Sequence, residues 1–471
     1  MHPQVWWCRR FGLIPLLLII STAARSAEVV PTIAGQPISE YQNRRKALLE
    51  RAGDVVVILG ARGEDFGEFD RFRQDNDFMY LTGIERPGAM LILVPEDLSR
   101  EGKPREIAFL PARIPFQERW EGRQDGPGAE AEGKFGIEEV APTDQFYPRL
   151  ISILAGPEEP TEGSDRPVVT VHTRTPRGRS TAGSKEAEFV ETLRKVALRA
   201  RVEDVSVHLA ALRLIKSEAE VKVLQEAIDI TIDAHQDAAR TIRPGAFEFQ
   251  VQAALEYAFA RNGAERPGFF SIVGSGPNST IPHYHANRRQ IEEGDLVVVD
   301  IGAERNYYTA DITRTYPASG QFTDRQRDIY QLVLDAQRAA EEAFEPGKST
   351  MQDLQRVAQQ VMRDSPLRDT QGRTMDRYFN HGLGHWLGMH VHDVGDSSKP
   401  IPNGAMFTIE PGIYIAEEEL GVRIEDNYLA TPEGLVKLTA ALPVEADDIE
   451  LMMQSRTGQP VESLQEQNGA P

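Results

Sequence analysis

Cysteine is almost missing from this chain of 471 residues; the single one is Cys8. It precedes an apolar run, Phe11 to Ile20, which follows Arg9 and Arg10 and leads into Ser21, Thr22, Ala23, Ala24, Ser26 and Ala27. A positive start, a short apolar stretch and a small-residue zone read as a secretory signal peptide over residues 1–27, cleaved between Ala24 and Ala27. The run is about half of the roughly 20 residues a membrane span needs, and Pro15 interrupts it. Without that segment no disulfide, thiol nucleophile or thiolate metal ligand remains, and no stable membrane insertion is expected. The expected destination is a periplasm or the cell exterior, and the Arg pair is compatible with twin-arginine export.

Basic residues are also short: 52 Lys and Arg stand against 72 Asp and Glu, a formal net charge of -20. Phosphate backbones are bound by clustered cations, so nucleic acid is excluded as a partner. No short tandem repeat and no H-E-x-x-H zinc helix is present. Hydrophobic residues at 40% and charged residues at 26% leave a soluble globular chain, long enough for two or three domains.

The fold class read from the pattern is α/β (α+β), an N-terminal mixed α/β domain over 28–205 and a second domain over 206–453, with a polar tail over 454–471. Val55–Leu59, Phe78–Leu81, Met90–Val94 and Ile107–Leu110 are short apolar runs bounded by turn residues and are predicted as strands. Residues 112–166, rich in Gly, Pro and Glu, are predicted as long loops with some short elements. Glu186–Arg201 is predicted helical. Ser217 and Glu220 form a capping box ahead of Val221, Leu224, Ile228 and Ile232 at helical spacing. Helices are predicted over Phe247–Arg261, from Thr323 with Gln326 as its box partner, and over Met351–Met362. Strands are predicted at Phe270–Val273, Leu296–Ile301, Tyr307–Thr315, Phe407–Ile409, Ile413–Ile415 and Val422–Ile424. The tail is expected to be disordered.

Charge embedded in apolar strands carries the chemistry. Asp300 ends Val297-Val298-Val299-Asp300-Ile301, and Asp311 follows at D-x10-D spacing. A buried, unpaired carboxylate is costly, and a tight turn near Glu304–Asn306 would bring the two together. Asn380-His381-Gly382-Leu383-Gly384-His385-Trp386-Leu387-Gly388 is followed by His390, His392 and Asp393, so four of the ten histidines fall between 381 and 392. The glycines argue against a helix there. Glu410 and Glu425 each follow an apolar strand-like run, as Thr408-Ile409-Glu410-Pro411 and Val422-Arg423-Ile424-Glu425. Singly, each has an ordinary explanation: a capping Asp, a surface histidine cluster, a solvent-facing Glu, an Arg423–Glu425 pair. Together they need a shared compensating charge, and divalent cations supply it. An oxygen-rich set with one imidazole favours Mn²⁺, with Co²⁺, Fe²⁺ or Zn²⁺ as alternatives, and the ligand count suits two ions.

The ordered set Asp300, Asp311, His385, Glu410, Glu425 resembles the pita-bread metallopeptidases, which include methionine aminopeptidase, prolidase and aminopeptidase P. Residues 206–453 are similar to their catalytic domain. Phe72-Arg73-Gln74-Asp75-Asn76-Asp77-Phe78-Met79-Tyr80-Leu81-Thr82-Gly83 resembles the N-terminal domain of aminopeptidase P, and the flanks of His381–Gly395 are nearer to that enzyme than to prolidase. The resemblance implies hydrolysis of the N-terminal Xaa–Pro bond of peptides by a hydroxide held between two metals. It implies that Asp311 and Glu425 bridge the metals, that Asp300 completes one, and that His385 and Glu410 complete the other. Glu410 would also be the general base. His283, in Ile281-Pro282-His283-Tyr284, and His392 would stabilise the tetrahedral intermediate, with His381 and Arg423 around the proline ring. An X–Pro bond lacks the N–H that general peptidases bind, which explains a dedicated enzyme. Some relatives complete the pocket from a neighbouring subunit, so a homo-oligomer is among the expected partners. The rivals are a prolidase acting on Xaa-Pro dipeptides, a creatinase-like hydrolase and a non-catalytic binding protein on the same scaffold.

Overall fold

The computed structural model describes residues 31–63, 71–99, 103, 105–155, 168–176 and 184–454. The signal-peptide reading and nearly all of the tail reading lie outside these residues. No helix among the described residues is long and apolar enough to cross a membrane.

Val55–Leu59 is almost all β-branched, which suits a buried strand, and it lies inside a six-stranded mixed sheet. The order is Glu139–Pro142, Glu106–Leu110, Met90–Leu93, Val55–Leu59, Thr170–Thr173, Arg201–Asp204. Side chains alternate across the sheet with period two. Val55, Val57, Ile92, Ile107 and Phe109 pack on Phe146, Leu150, Phe189 and Leu193. Val56, Ile58, Leu91, Leu93 and Leu110 face the other way, into a core shared with Val223, Leu224 and Ile228 of the helix Glu218–Thr241. That core also takes in Leu48, Phe78, Leu81 and Phe135 of the N-terminal half, so it runs continuously from this sheet to the half that carries the metal-type residues.

In that half, Leu296–Ile301 pairs antiparallel with both Ile272–Ser275 and Ile312–Pro317, and Asp300 is set opposite Thr313. Met406–Ile409, Asp426–Thr431 and Gly434–Lys437 form a second antiparallel sheet, and Gly412–Ile415 pairs with Leu420–Arg423. An isolated bridge, Thr313 to Glu425, joins the first sheet to the chain entering the second. The helices Glu218–Thr241, Glu248–Arg261, Asp324–Glu342 and Met351–Asp364 pack on one core with these strands. The predicted capping boxes at Ser217 and Thr323 are both formed.

Several local expectations are corrected. Phe78–Leu81 is not a strand but lies in the helix Asn76–Thr82. The Asp75 side chain accepts hydrogen bonds from the Asp77 and Phe78 amides, and Gly83, at φ 66°, closes the other end. A four-residue apolar run has no readable period, so the caps decide its conformation. The described part of 112–166, residues 112–155, is mostly the short elements rather than the loops: helices Pro115–Glu121, Ala129–Phe135 and Phe146–Leu154, and the sheet strand Glu139–Pro142. The predicted helix Glu186–Arg201 runs over Lys185–Val196, because Arg201–Asp204 is taken up as an edge strand beside Thr170–Thr173. Tyr307–Thr315 is two strands: Tyr308–Thr309 pairs with Ala303–Arg305, and Ile312–Pro317 pairs with Leu296–Ile301. Asn306 and Tyr307, at φ 51° and 72°, make the turn that sequence placed at Glu304–Asn306.

Candidate metal centre and active site

The break between those two strands sets Asp311 at a junction, beside Asp300 across the ladder. The Asp311 amide donates to Asn427 Oδ1 at 3.3 Å, and the Asn427 amide group donates back to the Asp311 carbonyl. Thr313, two residues on and so on the same face, donates to Glu425 Oε2 at 2.7 Å and accepts from Arg423 Nε at 3.1 Å. The Glu425 amide donates to the Thr313 carbonyl at 3.1 Å, which fixes Glu425 where one sheet meets the next. Glu410 leaves the strand Met406–Ile409 with its amide on the Leu383 carbonyl at 2.7 Å. The His385 backbone is laced to Thr408, its amide donating to Oγ1 at 3.1 Å. A Cβ at position 384 would stand 1.9 Å from the Thr408 carbonyl, so this approach requires Gly384. His385 Nδ1 lies 3.2 Å from the Trp386 carbonyl, which orients the ring and turns Nε2 to the carboxylates. Nε2 is 3.3 Å from Asp311, 3.4 Å from Glu410 and 4.0 Å from Glu425.

All five predicted ligands line one cavity of about 460 Å³, together with His283, His381, His392 and Arg423. The structure therefore brings together the nine residues given site roles, whereas His390 and Asp393 of the histidine cluster do not line the cavity. His283 and His392 are exposed at the mouth, and the His392 ring meets His385 edge-on with centroids 4.3 Å apart. Arg423 does not pair with Glu425; its Nη2 lies 2.6 Å from Asp300 Oδ2, while its Nε donates to Thr313 Oγ1 at 3.1 Å.

Electrostatics shows what the cavity lacks. Asp300 Oδ1, Asp311 Oδ1 and Glu425 Oε1 are buried with no hydrogen-bond partner. Burial, then repulsion from Glu425 and Asp300, pushes Asp311 well above the usual carboxylate range. Burial and Glu425 do the same to Glu410, and burial and Asp300 push Glu425 up to about 7. Burial and the Arg423 cation bring His381 down to about 4, and burial with His385 brings His392 to about 4. Orphaned buried oxygens beside an oriented imidazole fit a divalent cation: ligands at roughly 2.1 Å from one ion stand about 3 Å apart. Asp311, His385 and Glu425 offer such a set within 4.8 Å of one another.

Sequence reading missed Tyr414. Its hydroxyl accepts from Arg423 Nη1 at 2.8 Å and lies 2.9 Å from His381 Nε2, linking His381, Arg423 and Asp300 in one chain. A phenol on an otherwise apolar strand, three residues after Pro411, was the available signal. Phe269, Phe270 and His285 also line the cavity, and the highly exposed Phe270 stacks on His285 with centroids 5.6 Å apart.

A sequence profile of metallopeptidase family M24 matches residues 222–432, and one of the aminopeptidase P N-terminal domain matches 41–161. The Xaa-Pro aminopeptidase of Haemophilus influenzae is 37% identical over 89% of this chain and 98% of its own length. The Xaa-Pro dipeptidase of Pyrococcus horikoshii is 39% identical, but over only 53% of this chain and 70% of its own. The structure of zinc-substituted Escherichia coli aminopeptidase P in complex with product superposes with TM-score 0.77 and 31% identity, over 90% of this chain and 99% of that one. Likeness to the aminopeptidases extends through both halves, whereas likeness to the dipeptidase covers about one. The chain is a metallopeptidase of family M24 and belongs to its Xaa-Pro aminopeptidases.

Proposed function

We propose that this enzyme removes the N-terminal residue from peptides with proline in second position, using two divalent cations held by Asp300, Asp311, His385, Glu410 and Glu425. The observation that carries this reading is the set of partnerless buried carboxylate oxygens around His385 in one cavity. Asp311 and Glu425 would be shared between the two cations, Asp300 would serve one, and His385 and Glu410 the other. Cations bound there supply Lewis acidity and lower the pKa of a water molecule, and Mn²⁺ suits the oxygen-rich donors. Glu410 would act as the general base toward the attacking water. His283 and His392 stand at the mouth to donate to the carbonyl oxygen as charge grows on it. His392, brought to about 4, needs its neutral tautomer to present an N–H there. His381 and Arg423, linked through Tyr414, make the wall for the proline ring.

The profile match at 41–161 and the full-length likeness support an aminopeptidase over a prolidase. The domain division at 205/206, export by a signal peptide over 1–27 to a periplasm or the exterior, and assembly into a homo-oligomer belong to the same proposal. The test is hydrolysis of Xaa-Pro-Yaa-Zaa by metal-stripped protein with and without Mn²⁺, beside the dipeptide Xaa-Pro and Glu410→Ala. Metal-dependent release of Xaa from the tetrapeptide is expected. Cleavage of the dipeptide alone would make the enzyme a prolidase, and no cleavage with any metal would leave a binding protein.

A further inference from the structure

A charge network at the seam of the two halves has no part in the roles above. Asp77 sits in the first turn of the helix Asn76–Thr82. Its Oδ1 accepts from Arg213 Nη1 at 2.6 Å, and Arg213 Nη2 pairs with Asp393. The enclosed Lys216 Nζ stands 3.4 Å from the other Asp393 oxygen. The Asp393 amide donates to the Trp386 carbonyl at 2.8 Å, closing the segment that runs from His385 to His392. A Cβ on Gly388 would stand 2.1 Å from Asp393 Oδ2, so glycine there admits the carboxylate. From the other side Arg73 donates to the Met389 carbonyl at 3.0 Å, while its Nε is 3.0 Å from both Glu304 oxygens. The stretch bearing His392 is therefore held at Met389 by Arg73 of the N-terminal half, and at Asp393 by Arg213, which Asp77 of that half holds in turn.

We propose that Asp77, acting through Arg213 and Asp393, is a positioning residue for His392, so that the N-terminal half contributes to turnover without touching substrate. This inference rests on the Xaa-Pro reading of the site. The attachment point is the reason: a paired Asp–Arg–Asp could join the halves anywhere, but this one ends on the residue next to His392. Displacement of a catalytic group by about 1 Å costs up to about 100-fold in rate, and truncating one partner lets this backbone relax.

The experiment uses the full chain loaded with Mn²⁺, on Xaa-Pro-Yaa, comparing wild type, Asp77→Asn, Asp77→Glu, His392→Ala and the double variant Asp77→Asn/His392→Ala. Asp77→Asn is expected to lower kcat about 10-fold with KM within about 2-fold, and Asp77→Glu to restore part of it. In the His392→Ala background Asp77→Asn is expected to add nothing, because the effect passes through His392. An equal factor in both backgrounds, or an unchanged kcat, would overturn the relay. If Asp77→Asn lowers the folded fraction, Arg174→Gln is the second variant: its guanidinium, more than a third exposed, lies 3.6 Å from Asp77. A smaller loss is expected from it, again absent beside His392→Ala. A wild type that releases no Xaa would overturn the Xaa-Pro reading and the relay with it, whereas the other adverse results overturn the relay alone.

Discussion

Two buried acidic clusters in this molecule reach opposite solutions. At the seam, Asp75, Asp77 and Asp393 face Arg174, Lys185, Arg213 and Lys216. In the cavity, Asp300, Asp311, Glu410 and Glu425 face one guanidinium, Arg423, and the imidazoles of His385 and His381. Burial would push Asp75 up, but Arg174 and Lys185 outweigh it and hold that carboxyl below its usual range. In the cavity burial and mutual repulsion outweigh Arg423 and His385, and Asp311 and Glu410 are pushed well up. The chain supplies the cations of the first cluster from its own side chains; in the proposed function, bound divalent cations would supply those of the second. Excess buried negative charge, more than any single ligand, marks the metal centre.

The largest expected effect breaks the cavity's chemistry. Glu410→Ala should lower Xaa-Pro-Yaa hydrolysis by about 1,000-fold, while the melting temperature of the metal-free protein does not fall. Next comes the seam: Asp77→Asn leaves Arg213 short of a buried partner and should cost about 3 kcal/mol in denaturant unfolding. The third concerns a buried group belonging to neither cluster. Burial, then the Arg314 cation, brings His235 from 6.5 to about 3. Protons therefore favour the unfolded chain below pH 6.5, and stability should fall as pH drops from 6.5 toward 3, by about 1.4 kcal/mol per unit. The contribution is complete above pH 6.5 and disappears in His235→Gln, measured by urea titrations across that range. The smallest effect has the opposite sign to that at the seam. Asp311→Asn removes one of the repelling cavity carboxylates and should stabilise metal-free protein by about 1 kcal/mol, while abolishing the rise in melting temperature that Mn²⁺ gives the wild type. Destabilisation of the metal-free protein by Asp311→Asn would end the contrast between the two clusters.

The cavity was more legible in sequence than the seam. Asp300, Asp311, Glu410 and Glu425 announce themselves because a carboxylate beside an apolar strand breaks a local pattern. The caps at Ser217 and Thr323 were read for a similar reason, each being complete within four residues. Tyr414 was passed over because a single phenol on an apolar strand is a weak signal; its distances to His381 and Arg423 give it a role. Phe78–Leu81 was misread because an apolar run that short fits either period.

By itself the sequence determined which residue types the cavity holds, the strands that flank its carboxylates and the restriction of cysteine to Cys8, since each follows from composition or a local pattern. Tertiary structure decided that Asp300 takes Arg423 while Asp311 Oδ1 and Glu425 Oε1 have no protein partner. It also decided that Asp77 meets Arg213 across 136 positions and Asp393 meets Arg213 across 180. Whether a buried carboxylate is paired depends on which cation the fold brings within about 3 Å, and contacts that distant in sequence leave no local trace.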